Sequence, residues 1–241
     1  MKTLVLTGAS RGIGHATVKR FMAAGWRIIT CSRQAFAEQC PWAGGPEDHI
    51  QVDLADPRQV AIAINQIKLR LDGAPLDALV NNAAISPKDA EGKRLDTTTT
   101  DIQQWHTVFH VNFFAPVLLV RGLLEELATA QGTVINVTSI AGGRVHDFAG
   151  PAYATSKAAL AALTREMASD LGPRGIRVNA IAPGEIGTDM ISPGTEQLVE
   201  TIPLRRLGTP EEVASLVHFL CSGEGRYISG SEIHINGGQH V

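Results

Sequence analysis

The sequence predicts an α/β fold: a doubly wound, parallel sheet of about seven strands with helices on both faces. Two observations carry this. Short apolar runs alternate along the whole chain with longer amphipathic stretches, and helix-capping residues stand where those stretches begin. Leu4-Val5-Leu6 reads as a buried strand; a glycine turn follows it, then an amphipathic helix through Phe21 and Met22 that stops at Gly25. Arg27-Ile28-Ile29-Thr30 and His49-Ile50-Gln51-Val52 are the second and third strands, separated by a Gly- and Pro-rich loop around Trp42 to Pro46. Asp56-Pro57-Arg58-Gln59 opens a helix with an N-cap, a first-turn proline and a glutamine three residues after the cap. Asp77-Ala78-Leu79-Val80 is the fourth strand. A long helix from Asp101 to Leu127 follows, opened by Asp101 and Gln104 in the same capping pattern. Thr133-Val134-Ile135-Asn136-Val137 is the fifth strand, and a helix from Ala152 to Leu171 precedes the sixth, Ile176 to Ile181. Thr209-Pro210-Glu211-Glu212 starts a last helix with a capping box, and Glu232-Ile233-His234-Ile235 is the final strand. Crossovers of one hand between such strands build a parallel sheet covered on both sides.

With 241 residues, 44% of them hydrophobic, the chain can bury one sizeable core, so residues 1–241 are expected to form a single domain. A formal net charge of -3 without a basic run argues against a nucleic-acid partner. Small-molecule chemistry is expected. Cys31, Cys40 and Cys221 are odd in number and lack metal-ligand spacing, which points to a reducing, cytoplasmic setting. The apolar stretch before Gly8 is too short for a signal-peptide core, and no segment approaches a membrane span, so no membrane partner is expected. His106 and His110 are four apart on a helix, but no third ligand is evident and no metal is expected.

Two constellations carry chemistry. Thr7-Gly8-Ala9-Ser10-Arg11-Gly12-Ile13-Gly14 joins the first strand to the first helix. Glycines there let the backbone approach a pyrophosphate, and the helix N-terminus supplies free amides. The spacing, Gly-x-x-x-Gly-x-Gly, departs from the common dinucleotide fingerprint; alone it would be a tight turn. Tyr153 and Lys157 are four residues apart on an Ala-rich helix, with Ser139 at the end of the fifth strand. That spacing puts both side chains on one face. There an ammonium can lower the pKa of a phenol while a serine hydroxyl holds the reacting oxygen. Singly, each of these residues also has an ordinary packing explanation.

Together with Asp53, Asn81-Asn82-Ala83-Ala84, Asn112, Arg177 to Gly184, Tyr227-Ile228-Ser229-Gly230 and Asn236-Gly237-Gly238, these motifs make the chain resemble a short-chain dehydrogenase/reductase over nearly its full length. The subgroup it looks most like is the bacterial 3-oxoacyl-carrier-protein reductases and similar ketone reductases. The resemblance implies a Rossmann-type domain and an oxidoreductase that moves hydride between a nicotinamide and a carbonyl or secondary-alcohol substrate. It implies that Tyr153 is the proton donor and that Lys157 holds the nicotinamide ribose and lowers the tyrosine pKa. Ser139 orients the substrate oxygen, and Asn112 holds a water, by side chain or main-chain carbonyl, that links Lys157 to solvent. Cofactor contacts are implied at Gly8, Ser10, Arg11, Ile13, Gly14, Ser32, Arg33, Asp53, Leu54, Asn82, Ala84, Tyr153, Lys157, Pro183, Gly184, Ile186 and Thr188.

In this fold a carboxylate after the second strand takes the adenosine ribose 2′-hydroxyl of NAD and repels a 2′-phosphate. Cys31-Ser32-Arg33 stands there with no acid, so Ser32, Arg33 and Arg11 are expected to read a 2′-phosphate, which makes NADP(H) the expected cofactor. NAD-linked alcohol or sugar oxidation and an idle NADP-binding sensor are the alternatives. A lid is expected over about 185–203, hinged near Pro193-Gly194. Glu185 departs from the small or apolar residue frequent after the glycine in the acyl-carrier-protein reductases, and Arg144, His146 and Asp147 stand between Ser139 and Tyr153. They either admit a polar substrate or are exposed loop charges. Phe109, Phe113, Leu160 and Leu163 lie on more than one face of the two long helices, as in a homotetramer or, second, a dimer.

Overall fold

A computed structural model describes residues 1–36, 45–188 and 195–241. Cys40, most of the loop around Trp42 and the Pro193-Gly194 hinge lie outside them. The strands are β1 (Thr3–Thr7), β2 (Arg27–Ser32), β3 (His49–Gln51), β4 (Ala78–Asn81), β5 (Thr133–Val137), β6 (Arg177–Pro183) and β7 (Glu232–Ile235). All pair in parallel, in the order β3-β2-β1-β4-β5-β6-β7. The helices are α1 (Gly12–Ala23), α2 (Pro57–Leu71), α3 (Ile102–Phe109), α4 (Ala115–Gly122), α5 (Leu124–Ala130), α6 (Pro151–Leu171) and α7 (Pro210–Cys221). The fold is the doubly wound sheet expected from the alternation of elements.

Strand residues are apolar on both faces because helices cover both. Val5, Ile29, Leu79, Val134 and Val178 pack under α2, α4, α5 and α6, whereas Leu4, Leu6, Ile28, Val80, Ile135 and Ile181 pack under α1 and α7. On the second face Phe21, fully buried, meets the rings of Trp26 and His218 edge-on at 5.0 and 5.2 Å.

Local signals were realised unevenly. Thr209 and Glu212 close the capping box of α7. Asp56 caps α2 through Arg58 N, but the Gln59 side chain accepts from Asp53 N, so the glutamine ties down the preceding loop instead of completing a box. Asp101 caps α3 through Gln103 N without a reciprocal Gln104 bond. The long helix expected over 101–127 is interrupted twice: a π-helical turn spans His110–Phe114, and α4 and α5 bend by 65° about Leu123. Leu160 is buried at 1% exposure inside the chain, so it offers nothing to a partner. Among the described residues no single helix is long and apolar enough to cross a membrane.

A buried polar chain fastens α6 to the sheet. Asn81 Nδ2 donates to Asn136 Oδ1 at 2.9 Å, Asn136 Nδ2 donates to Thr164 Oγ1 at 2.9 Å, and Thr164 donates to Leu160 O. Removing the middle member leaves buried groups unpaired and opens a void. Asn136→Ala is expected to cost about 2–4 kcal/mol in urea unfolding; a loss below about 1 kcal/mol would mean that these bonds do not anchor the helix.

Candidate active site

The sheet order reverses direction between β1 and β4, and a crevice opens beyond their C-terminal ends, as this topology requires. A cavity of about 880 Å³ runs there from Arg33 and Asp53 to Tyr153 and Glu185. Every cofactor-contact position expected from the sequence lines it, and so do Ser139, Tyr153 and Lys157; Asn112 does not.

The floor of the crevice is backbone. Gly8 has φ +71°, and a Cβ on Gly14 would stand 2.0 Å from the Gly8 carbonyl oxygen, so only glycine lets α1 start this close to β1. Asn82 Nδ2 donates to the carbonyls of Thr7 and Gly8, while the Thr7 hydroxyl accepts from the amides of Asn82 and Ala83. Asn82 therefore clasps the glycine turn as well as lining the cavity. No Cβ crowds the floor, and the start of α1 faces it, which fits a bound pyrophosphate.

At the Arg33 end of the cavity Asp53 Oδ1 accepts from Ala55 N, and Leu54 is buried. Ser32 donates its hydroxyl to Gln34 O at 3.0 Å, a bond it would exchange to reach a phosphate. Arg33 and Arg11 stand exposed at the rim. At the other wall Ile186 bridges to Gly208, and Thr188 lies against Gly12.

The catalytic candidates converge from three elements. Ser139 ends the extension of β5 and caps a short 3-10 turn through Ala141 N. Tyr153 and Lys157 sit one turn apart on α6, with the Lys157 Nζ 5.7 Å from the Tyr153 ring centre. Lys157 is 1% exposed and donates to Val137 O at 2.6 Å. Burial lowers its pKa to about 7. Burial pushes the Tyr153 phenol above its usual range; a hydrogen bond with Ser139 pulls it down and the Glu185 carboxylate pushes it up. The expected lowering of the phenol by Lys157 is thus not what this structure displays. Desolvation governs both groups, and the ammonium is turned to a strand carbonyl.

Asn112 lies in the π-helical turn, fully buried. Its Oδ1 accepts from Ile85 N, and its Nδ2 donates to Ile85 O and Ser156 Oγ. The side chain is committed to pinning the loop after β4. A π turn frees carbonyls from the regular helical ladder.

Reasoning from sequence missed Lys88, which lines the cavity in the loop after β4. No periodicity or spacing marks it, because the loop that carries it is folded by contacts distant in sequence. His146 Nε2 lies 2.6 Å from Glu185 Oε1 inside the cavity, whereas Arg144 and Asp147 are exposed. The charges between Ser139 and Tyr153 therefore divide between the cavity and the surface. Among the described residues no cluster of three metal-ligating side chains occurs.

The depressed Lys157 pKa has a thermodynamic consequence. Between about pH 7 and the ordinary lysine value, the unfolded chain holds a proton that the folded chain has released, so folding becomes more favourable as pH rises. The stability difference between the wild type and Lys157→Met should move in favour of the wild type from pH 7 to 10 in paired thermal melts. A gap independent of pH would show that Lys157 keeps an ordinary pKa.

The comparisons agree with this architecture. A family model described as enoyl-(acyl carrier protein) reductase matches residues 8–240. The protein FixR of Bradyrhizobium diazoefficiens is 61% identical over 242 residues, covering 100% of this chain and 87% of that protein. The 3-oxoacyl-[acyl-carrier-protein] reductase FabG of Aquifex aeolicus is 34% identical over 98% of this chain and 96% of its own length. A crystal structure of a Brucella ovis oxidoreductase of the short-chain dehydrogenase/reductase family, in complex with a partially ordered NAD, superposes with a TM-score of 0.85. It is 61% identical, with 98% of this chain and 99% of that chain covered. Parallel sheet, glycine floor, the convergence of Ser139, Tyr153 and Lys157, and these relationships lead to one conclusion: the chain belongs to the short-chain dehydrogenase/reductase family.

Proposed function

We propose that the protein is an NADP(H)-dependent oxidoreductase that interconverts a small carbonyl compound and its secondary alcohol. The observation that carries this reading is the convergence of Ser139, Tyr153 and Lys157 at one end of a glycine-floored cavity. A nicotinamide bound there supplies the hydride that the carbonyl carbon gains. Tyr153 gives its phenolic proton to the carbonyl oxygen, so carbonyl, hydride and proton sum to the alcohol. Ser139, at the same end of the cavity, holds that oxygen. Lys157, whose Nζ donates to Val137 O, would hold the ribose hydroxyls of a bound cofactor and lend its charge to the phenolate left on Tyr153. The Asn112 carbonyl holds the water through which the proton is replaced.

Arg33 and Arg11 at the rim, with no acid after β2, support a 2′-phosphate on the cofactor. Asp53 accepts from the adenine amino group. The Brucella ovis protein bound to NAD favours a second reading, NAD(H) as cofactor. A homotetramer is proposed on the aromatic face of α3 and the π turn, where Phe114 is 47% exposed beside Trp105 and Phe109. Free, buried Cys31 and Cys221 suit the cytoplasm.

Nicotinamide-fluorescence titrations should show NADPH binding at least about tenfold tighter than NADH, the preference collapsing in Arg33→Ala. Equal or tighter NADH binding would replace the first reading with the second. Tyr153→Phe should lower kcat for ketone reduction by about 10²–10⁴-fold while cofactor binding persists. Unchanged turnover would remove Tyr153 from the chemistry.

A further inference from the structure

The cavity that Tyr153 lines also carries a cation in no salt bridge among the described residues, Lys88. Lys88 lies in a segment sewn to the wall that leads into α6: its Nζ donates to Phe148 O, Arg94 Nε donates to Ala149 O at 2.8 Å, and Lys88 and Arg94 pair as an antiparallel bridge. The ammonium is therefore held in place at the cavity, with one of its three donors used.

The carboxylates nearby are engaged elsewhere. Asp89 Oδ1 accepts from the amides of Glu91 and Lys93 and closes the turn of the segment. Glu185, the acid lining this end of the cavity, is paired with His146, both side chains being only 15% and 12% exposed. Among the described residues no carboxylate comes within 4.0 Å of Lys88. Burial holds the ammonium below the ordinary lysine range; Glu185 and Asp89 counteract this and Arg94 adds to it. A partly desolvated cation with two free donors is best satisfied by an anion that enters with the ligand.

We propose that Lys88 is the anion-binding residue of the substrate site and that the substrate is a short oxo acid, or the corresponding hydroxy acid, whose carboxylate Lys88 holds. This deepens the proposed oxidoreductase function and rests on it. His146 contributes by holding the Glu185 carboxylate at 2.6 Å, so that Glu185 makes no direct contact with Lys88. A neutral thioester, in which the carboxylate is lost, gives Lys88 nothing to pair with, so a free acid is favoured over an acyl-carrier thioester.

Calorimetric titration of the protein saturated with oxidised cofactor, which blocks ketone turnover, tests the subsite by binding. The probes are 2-oxobutanoate, 3-oxobutanoate and 4-oxopentanoate, each against its own neutral amide. At least one acid should bind about tenfold or more tightly than its amide. Lys88→Met should abolish the preference and Lys88→Arg retain most of it, with cofactor affinity on the same samples reporting an intact fold. If no acid outbinds its amide, or the preference survives in Lys88→Met, the proposal is overturned. Reduction assays separate the two readings. An acid that binds through Lys88 while none of the six ketones is reduced sinks the oxidoreductase reading and leaves the subsite standing. Amides reduced as well as acids do the opposite.

Discussion

Thr7 and Asn82 hold together the ends of two neighbouring parallel strands just where the chain leaves them in opposite directions. The Thr7 hydroxyl takes two amides from the loop after β4, and the Asn82 amide takes two carbonyls from the loop after β1. These polar groups lie at the mouth of a parallel sheet, where the ladder stops and backbone groups need other partners. Their mutual satisfaction sets the height of the glycine turn. It therefore sets how close α1 comes to the sheet and how much cavity remains above it. Gly8 and Gly14 make this possible by having no side chain in the gap.

The end of the cavity that holds Tyr153 and Lys157 is governed by desolvation. Lys157 and Tyr153 are enclosed by β5, the turn after Ser139 and α6, and burial moves both pKa values away from the charged forms. A buried ammonium bonded to a strand carbonyl is inexpensive to reorient when a polar ligand arrives, because it exchanges one acceptor for another. The buried chain from Asn81 through Asn136 to Thr164, and the Asn112 clamp on Ile85, keep the backbone that carries these groups from shifting with them. Rigid supports around one movable side chain are what a preorganised site needs.

The two ends of the cavity differ in how they are built. The Arg33 end is made of strand termini and a helix start, elements whose geometry follows from the sheet. The Tyr153 end is made of loops, after β4, after β5 and after β6, joined by side-chain bonds such as His146–Glu185 and Lys88 to Phe148 O. Loops of this kind vary more between related proteins than the elements they join.

That division explains how much was legible in the chain. The seven strands, the α6 face bearing Tyr153 and Lys157, and the glycine turn follow from local patterns: apolar runs, a spacing of four, and glycines where a helix meets a strand. These effects act over a few residues, so a linear reading captures them. The π turn at Asn112, the use of Gln59 on Asp53, the bond from Ser32 to Gln34 O and the bend at Leu123 were not legible. Each depends on competing partners that folding brings together. The same holds for the charges. Arg144, His146 and Asp147 are equivalent as letters in one loop, yet only His146 meets a carboxylate, and that carboxylate lies 39 residues further along. Short-range physics in the chain was enough to determine the class of fold and to put Tyr153 and Lys157 on one face of α6. Which polar groups face the cavity, and which of them remain available to a ligand, was decided by long-range packing, because burial and pairing are properties of the assembled surface.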